Sequence, residues 1–194
     1  MTPIDLNDPI AVLLAVIQAL ERAHLEAAVY GGLALAVYGE PRETKDADFA
    51  VAGVRAADAE NALRTAGLDV ILAFEKVQFG GQFVSRLTLY RGLGGSLNTA
   101  DLIEPRSERY GRQVLARAIA GPLREQSVRV VSPEDFILLK ILATRERDIS
   151  DAASVLKLFR SELDLQFLEN EIALLAAEIP DHNISERWRL VRDV

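Results

Sequence analysis

The chain has 194 residues and a formal net charge of −7, with 49% hydrophobic and 26% charged residues. This balance is typical of a globular protein and excludes a wholly disordered chain, which would be poor in apolar residues. The length suits one domain, or one domain with a small second one. The sequence contains no cysteine, which excludes disulfide frameworks and thiolate zinc sites.

The apolar stretches at 11–17 and 27–38 are shorter than the ~20 residues that cross a bilayer. Residues 1–8 carry acidic rather than basic side chains, so no secretory signal is visible there. We therefore expect a cytoplasmic protein with no membrane partner. The only histidines are His24 and His182, which excludes a histidine-rich metal site.

The first half of the chain alternates helical and strand patterns. Apolar residues at three- and four-residue spacing after Asn7-Asp8-Pro9 predict an amphipathic helix, since a capping side chain and a proline mark its start. Alternating and β-branched runs predict strands, and glycine pairs predict turns. The predicted helices are 9–24, 33–38 and 54–66; the predicted strands are 27–30, 46–51, 69–74, 76–79, 83–90 and 97–103, with turns at 80–81 and 92–95.

The second half is mostly helical. Predicted helices are 108–118, 133–143, 149–160 and 165–179, with one short strand at 128–131 and a polar tail from 183 that we leave unassigned. Six arginines lie between 106 and 129, and these form either ordinary surface pairs or a local basic patch. We predict an α/β core over residues 1–104, followed by an arginine-rich connection and a helical region over 105–194.

The most informative segment combines a glycine pair with two acids. Gly31-Gly32 follows a buried strand at the start of a helix, where unshielded backbone N–H groups can approach a phosphate. Asp46 and Asp48 alternate on the next strand and therefore project from the same face. Neighbouring carboxylates repel each other unless a cation lies between them, and Mg²⁺ prefers carboxylate, phosphate and water oxygens.

Asp101 stands among apolar residues on a later strand. If that strand neighbours 46–51, three carboxylates converge beside a phosphate-binding turn. Two-metal phosphoryl transfer requires such a set, because one metal activates the attacking hydroxyl and the other neutralises the leaving pyrophosphate.

These residues resemble the DNA polymerase beta-type nucleotidyltransferase superfamily. More narrowly, Gly31-Gly32-Leu33-Ala34, Thr44-Lys45-Asp46-Ala47-Asp48 and the later Ser132-Pro133-Glu134-Asp135 resemble the AbiEii-like and minimal nucleotidyltransferases. The resemblance implies an α+β nucleotidyltransferase fold, in which a mixed sheet is flanked by helices and followed by a C-terminal helical segment. It also implies a metal-dependent enzyme that moves a nucleoside monophosphate from a nucleoside triphosphate to an acceptor hydroxyl. The acceptor would be a tRNA end or a small hydroxylated molecule, and a cognate antitoxin would be a partner.

The resemblance also implies roles for individual residues. Asp46, Asp48 and Asp101 would be the catalytic acids that bind Mg²⁺, and Asp101 would in addition serve as a general base. The nucleotide-binding residues would be Gly31, Gly32 and Lys140. Arg42 and Lys45 lie in the loop that leads to the carboxylates, where they are placed to bind phosphate as well. Asp148 and Asp151 would belong to a distal acidic motif.

Structural explanations compete with several of these roles. Lys140 lies in a very apolar helical segment, where it is either snorkelling or aimed at an anion. Asp148 and Asp151 could be explained by helix capping, and Arg42 and Lys45 by ordinary solvation. Two alternatives for the whole protein also stay open: a catalytically inactive nucleotidyltransferase fold that binds nucleotides, and a protein-interaction module.

Overall fold

The computed structural model describes residues 4–92 and 95–193. The predicted glycine turn at 92–95 includes Leu93 and Gly94, which lie outside the described residues. The helices are α1 Pro9–Arg22, α2 Gly31–Val37, α3 Ala56–Thr65, α4 Glu108–Ala116, α5 Pro133–Leu142, α6 Glu146–Leu158, α7 Leu165–Glu178 and α8 Ile184–Asp193. The strands are β1 Ala27–Tyr30, β2 Ala47–Val51, β3 Val70–Phe79, β4 Gln82–Tyr90, β5 Leu97–Pro105, β6 Ile119–Leu123 and β7 Gln126–Val130.

The strands form one mixed sheet in the order β3-β4-β5-β2-β1-β7-β6. The pairs β2–β5 and β1–β7 are parallel, and the other neighbours are antiparallel. Helices α1 and α3 pack against each other and against several strands, whereas α5 to α8 contact one another as a helical cluster. The predicted α+β architecture, with a mixed sheet, flanking helices and a C-terminal helical segment, is confirmed.

The chain departs from the predicted elements in three places. Strand β6 was not predicted because Gly121-Pro122 resembles a loop, but β6 is an edge strand, where proline is tolerated. The two short strands predicted at 69–79 are one strand, β3, with irregular pairing near Phe74 and a positive φ at Lys76. The unassigned tail is helix α8.

Helix α8 is short and polar, so its hydrophobic side is narrow. Ile184, Trp188 and Val191 are buried at spacings of four and three residues, and these three side chains attach the helix to the rest of the fold. Helix α5, in contrast, is apolar and buried on nearly every side. All of its residues from 135 to 142 are buried, which makes it the central helix of the C-terminal cluster.

The six arginines of the connection mostly form ion pairs within the fold. Arg106 pairs with Asp181, Arg109 with Glu171 and Glu178, Arg112 with Glu108, Arg117 with Asp135 and Arg124 with Asp8; Arg129 donates to the carbonyl of Leu115. The connection also contributes β6 and β7, and β7 pairs with β1 and so joins the connection to the strands of the predicted core. The division of the chain at residue 104 stays a prediction.

Asp135 is the most enclosed of these acidic partners. It is fully buried, and its carboxylate accepts hydrogen bonds from Arg117, from the Tyr110 hydroxyl and from the Ser132 hydroxyl. We expect Asp135→Ala to lower the free energy of unfolding by about 3 kcal/mol, because it leaves a partly buried guanidinium and a buried hydroxyl without their partner. Urea unfolding measures this loss. The exposed variant Glu186→Gln should stay within about 0.5 kcal/mol of the parent, and a loss at Asp135 no larger than that would contradict the assignment.

Candidate active site

The register of two parallel strands brings two of the predicted acids together. Asp48 on β2 lies directly opposite Asp101 on β5, and both line a cavity of about 670 Å³. Asp46 precedes β2 by one residue and lines the same cavity, where its carboxylate accepts a hydrogen bond of 3.0 Å from the Thr99 hydroxyl. The neighbouring Asp46 and Asp48 and the sequence-distant Asp101 therefore line one pocket.

The glycine pair lies directly behind this acidic group. Gly31 begins α2 with a φ of +68°, and a Cβ built on it would be 1.9 Å from Oδ2 of Asp48. A Cβ on Gly32 would be 2.7 Å from the Cβ of Thr44. Both glycines are buried and neither is part of the cavity wall as it stands. Their effect in the structure is to let the backbone pass close to Asp48 and Thr44.

A matched pair of glycines tests this close approach. Gly53 has the same φ of +68° as Gly31, but a Cβ on Gly53 would meet nothing within 4 Å. Gly53→Ala should therefore cost only about 1–2 kcal/mol for the left-handed backbone. Gly31→Ala should cost about 1–3 kcal/mol more, because the new methyl group overlaps Asp48.

Thermal or urea unfolding of the two alanine variants gives the comparison directly. The excess loss for Gly31→Ala should shrink when it is combined with Asp48→Gly, which removes the colliding side chain. Equal losses of unfolding free energy for Gly31→Ala and Gly53→Ala would show that the close approach of Gly31 to Asp48 does not affect stability.

Arg86 is a component of the site that the sequence did not indicate. It lies on β4 opposite Asp101, and its Nε and one terminal nitrogen each donate to a different Asp101 oxygen at 2.7 Å. Its guanidinium also lies over the ring of Phe74, 5.6 Å from the centroid. Arg86 alternates along β4 with other cavity residues, but only the register of β4 with β5 shows that it faces Asp101.

The electrostatic environment of Asp48 is unfavourable to its charge. Burial, the neighbouring Asp101 and then Asp46 raise the pKa of Asp48 to about 7, although Lys140 and Arg145 act in the opposite direction. No hydrogen bond from the described part of the chain reaches the Asp48 carboxylate. Asp48 is thus a carboxylate whose ionised form would gain from a cation placed in the pocket.

The raised pKa of Asp48 predicts a specific pH dependence of stability. An unfolded aspartate ionises near pH ~4, whereas folded Asp48 ionises at about 7. Between these values unfolding releases a proton, so the contribution of Asp48 to stability falls as the pH rises and is constant above about 7. The difference in unfolding free energy, Asp48→Asn minus wild type, should grow by up to about 1.4 kcal/mol per pH unit between pH 5 and 7.

Urea unfolding with a metal chelator, repeated at several pH values, measures this difference. Asp58→Asn is the matched control because Asp58 is an exposed aspartate whose pKa is lowered by Arg55. It should show a difference that does not change over the same pH range. A constant difference for Asp48→Asn as well would refute the raised pKa.

Four cationic side chains also line the cavity, those of Arg42, Lys45, Arg145 and Arg147. Arg42 donates to Asp151 at 3.0 Å, and its buried Nε has no hydrogen-bond partner among the described residues. Of the predicted nucleotide-binding residues, Arg42 and Lys45 are therefore at the pocket. Arg145 was not predicted, because only the packing of the α5–α6 loop brings it there.

Lys140 is not part of the cavity wall. Its ammonium group is buried between the rings of Tyr30 and Phe136 and pairs with Asp148 at 2.9 Å and with Asp151 at 2.8 Å. Asp148 also accepts the backbone N–H of Arg145 and so caps α6. In this arrangement the ammonium group is engaged by two carboxylates, and the nucleotide-binding role of Lys140 stays a prediction.

The donor set suits a hard divalent cation, although it is not preassembled. Among residues 4–92 and 95–193, no group of three acids or histidines is arranged to hold a metal ion as it stands. Arg86 hydrogen-bonds both oxygens of Asp101, and the Thr99 hydroxyl donates to Asp46. A cation that binds all three acids would have to replace these partners, whereas the Asp48 carboxylate accepts no hydrogen bond from the described residues.

Comparison with known proteins decides the family. Residues 13–190 match the model of the family described as "Nucleotidyl transferase AbiEii toxin, Type IV TA system". The chain belongs to the AbiEii nucleotidyltransferase family. The predicted family resemblance, the nucleotidyltransferase fold and the transferase class of the enzyme are thereby confirmed. No curated protein matches the sequence.

Several solved structures are similar to this AbiEii-family chain. JHP933 from Helicobacter pylori is 15% identical, with 93% of this chain and 85% of that chain covered and a TM-score of 0.49. ANT(2″)-Ia in complex with adenylyl-2″-tobramycin is 18% identical, with 89% of this chain and 97% of that chain covered and a TM-score of 0.48.

Within the described residues, no helix is both long and apolar enough to cross a membrane.

Proposed function

We propose that the protein is a metal-dependent nucleotidyltransferase that uses a nucleoside triphosphate and Mg²⁺ to modify an acceptor hydroxyl. The observation that carries the proposal is the direct pairing of Asp48 with Asp101 across β2 and β5. Two acids side by side, with a third nearby and a buried glycine turn behind them, provide oxygen ligands where a polyphosphate can approach. When bound, Mg²⁺ would polarise the transferred phosphoryl group and neutralise the leaving pyrophosphate.

Residues of this chain would bind the cation, remove the proton from the acceptor and bind the phosphates. Asp46 and Asp48 would hold the cation, and Asp101 would ligate it and take the proton from the acceptor hydroxyl. The acceptor oxygen forms a bond to the α-phosphorus while the bond from that phosphorus to the bridging oxygen breaks, and pyrophosphate leaves. Arg42 and Lys45 in the cavity wall would bind the phosphate oxygens.

Lys140 would act on the phosphates as a positioning residue. Its two ion pairs fix Asp148 and Asp151, and these acids in turn hold Arg145 and Arg42 at the cavity. The network sets where the two guanidinium groups point without placing the ammonium itself in the pocket. Gly31 and Gly32 would cradle the triphosphate with their backbone N–H groups, which requires the Asp48 side chain that packs against Gly31 to move aside.

The acceptor is proposed from charge and family. A net charge of −7 disfavours a broad surface for long nucleic acid, while the few cations that line the cavity suit a single RNA end. We propose a tRNA end as the acceptor and a small hydroxylated molecule as the competing possibility. The family's description as a type IV toxin extends the proposal to a cognate antitoxin partner and a cytoplasmic site of action.

One observation favours a second function. Both oxygens of Asp101 are bonded to Arg86, which is the arrangement of a neutralised structural pair rather than a free base. A catalytically inactive nucleotidyltransferase fold that only binds nucleotides, as a sensor or interaction module, would keep this pair intact. The two functions differ in turnover rather than in nucleotide binding.

Incubation of the purified protein with each α-labelled nucleoside triphosphate, Mg²⁺ and total RNA tests the proposal. We expect label in RNA, its loss on chelation of the metal, and a loss of at least about 100-fold in Asp48→Asn. Asp58→Asn, remote from the cavity, should retain the parent activity. A parallel arm replaces RNA with a mixture of small polyols and aminoglycosides to identify a small acceptor.

Each outcome separates the alternatives. Nucleotide binding by calorimetry without incorporation into any acceptor would support the inactive fold and contradict the enzyme. Incorporation that survives in Asp48→Asn would contradict the assignment of the site.

A further inference from the structure

The cavity extends well beyond the acidic group along one face of the sheet. Cross-strand pairing produces successive rows on this face: Asp48, Asp101, Arg86 and Phe74 form the first row, Ile103 and Val84 the next, and Gln82 and Phe79 the last. Gln82 is four residues from Arg86 along β4, which corresponds to about 13 Å at ~3.3 Å per residue. The sheet face of the pocket is thus charged at one end and mostly apolar at the other.

Gln82 is the exception at the apolar end. It is only 6% exposed, and its Oε1 is buried without a hydrogen-bond partner among the described residues. Its side chain belongs to the cavity wall beside Phe79, Val84 and Ile103. Buried amides are normally paired, so an enclosed, unpaired amide oxygen on a side chain of the cavity wall marks a group that a ligand in the cavity could pair after a small side-chain rotation.

The position of Gln82 is fixed by the packing of its hairpin turn. The backbone N–H of Gly81 donates to the carbonyl of Leu142 at 2.8 Å, and the N–H of Arg106 donates to the carbonyl of Gly81 at 3.0 Å. A Cβ on Gly80 would be 2.8 Å from both the Leu142 carbonyl oxygen and the His182 ring. The β3–β4 turn is therefore docked on the C-terminal cluster, which holds the amide in place at the cavity.

We propose that the apolar end of the cavity binds a nucleobase, and that the Gln82 amide pairs with its hydrogen-bonding edge. This assignment rests on the proposed function, since the phosphates attached to that base would lie at the acidic end. A primary amide presents one donor and one acceptor side by side, and every nucleobase offers a matching neighbouring pair on its edge. Phe79 is 42% exposed, and the ring provides an apolar surface against which a planar base can pack.

Two sources could supply this base. It belongs either to the nucleoside triphosphate or to the terminal nucleotide of an RNA acceptor, and the chemistry at Gln82 is the same for both. The distance of about 13 Å along β4 between the two ends suits a single nucleotide unit in either case.

The test compares Gln82→Leu with Gln78→Leu in the full-length protein. Gln78 lies on the same hairpin, is exposed, and pairs with Phe83, so it is on the other face of the sheet. Calorimetry measures the binding of ATP, CTP, GTP and UTP with Mg²⁺, of inorganic tripolyphosphate with Mg²⁺, and of a short single-stranded RNA of mixed sequence. The melting temperature of each variant is recorded as well.

We expect Gln82→Leu to weaken binding of a base-containing probe about tenfold and to leave tripolyphosphate binding unchanged. Its melting temperature should rise by ~2–4 °C, because an unpaired buried amide is removed. Gln78→Leu should change none of these values. A loss confined to the nucleoside triphosphates assigns the base to the donor nucleotide, and a loss confined to RNA assigns it to the acceptor.

Unchanged affinity for every base-containing probe, or an equal loss for tripolyphosphate, would overturn the nucleobase subsite. Wild-type protein that binds tripolyphosphate but shows no Gln82 effect contradicts this inference alone, whereas wild type that binds neither tripolyphosphate nor nucleotide contradicts the proposed function as well. If Gln82→Leu does not fold, Gln82→Glu preserves the side-chain shape but only accepts hydrogen bonds. It should shift preference towards guanine, which has two adjacent donors, and an unchanged order of preference would count against the subsite.

Discussion

Two like charges placed side by side in the middle of the sheet are the constraint around which this site is organised. Asp48 and Asp101 are register partners on parallel strands, and neither can move away without breaking the β2–β5 ladder. The fold answers this repulsion in two ways. Arg86 neutralises Asp101 with two hydrogen bonds, whereas burial and the neighbouring Asp101 raise the pKa of Asp48 to about 7. A site built in this way gains most from a cation that can bridge both acids.

Neighbouring carboxylates also occur in the helical region, where a different cation compensates their repulsion. There a fully buried ammonium group, that of Lys140, is placed between two carboxylates, and Arg42 and Arg145 extend the alternation of charge to the cavity. A buried ion pair of this kind contributes little to stability relative to apolar residues of the same size, but removing one member leaves an uncompensated charge. In this protein the ion pairs fix positions instead. They hold the start of α6, with Asp148 and Asp151, against the pocket that β2 and β5 form.

Belonging to a nucleotidyltransferase family accounts for the acidic end of the cavity but leaves its other end unexplained. Val84, Ile103 and Phe79 give that end an apolar surface, and Gln82 interrupts the surface with an unpaired amide. A cavity that changes from charged to apolar along its length matches a ligand with the same polarity. A nucleotide has this character, since its phosphates and its base lie at opposite ends of one ribose.

Much of this protein could be read from the chain alone, because the signals are local. The capped start of α5 at Ser132-Pro133, the glycine turn after β1 and the spacing of Asp46 and Asp48 all depend on neighbours within a few residues. Pairing between distant strands carries no such local signal. Only the tertiary structure decided that Arg86 faces Asp101, that Lys140 is enclosed by Asp148 and Asp151, and that Gln82 lines the far end of the cavity. Strand β6 was missed because Gly121-Pro122 favours a loop, and its strand conformation comes from pairing with β7. Helix α8 was missed because its apolar side is limited to Ile184, Trp188 and Val191, whose burial only the tertiary structure shows.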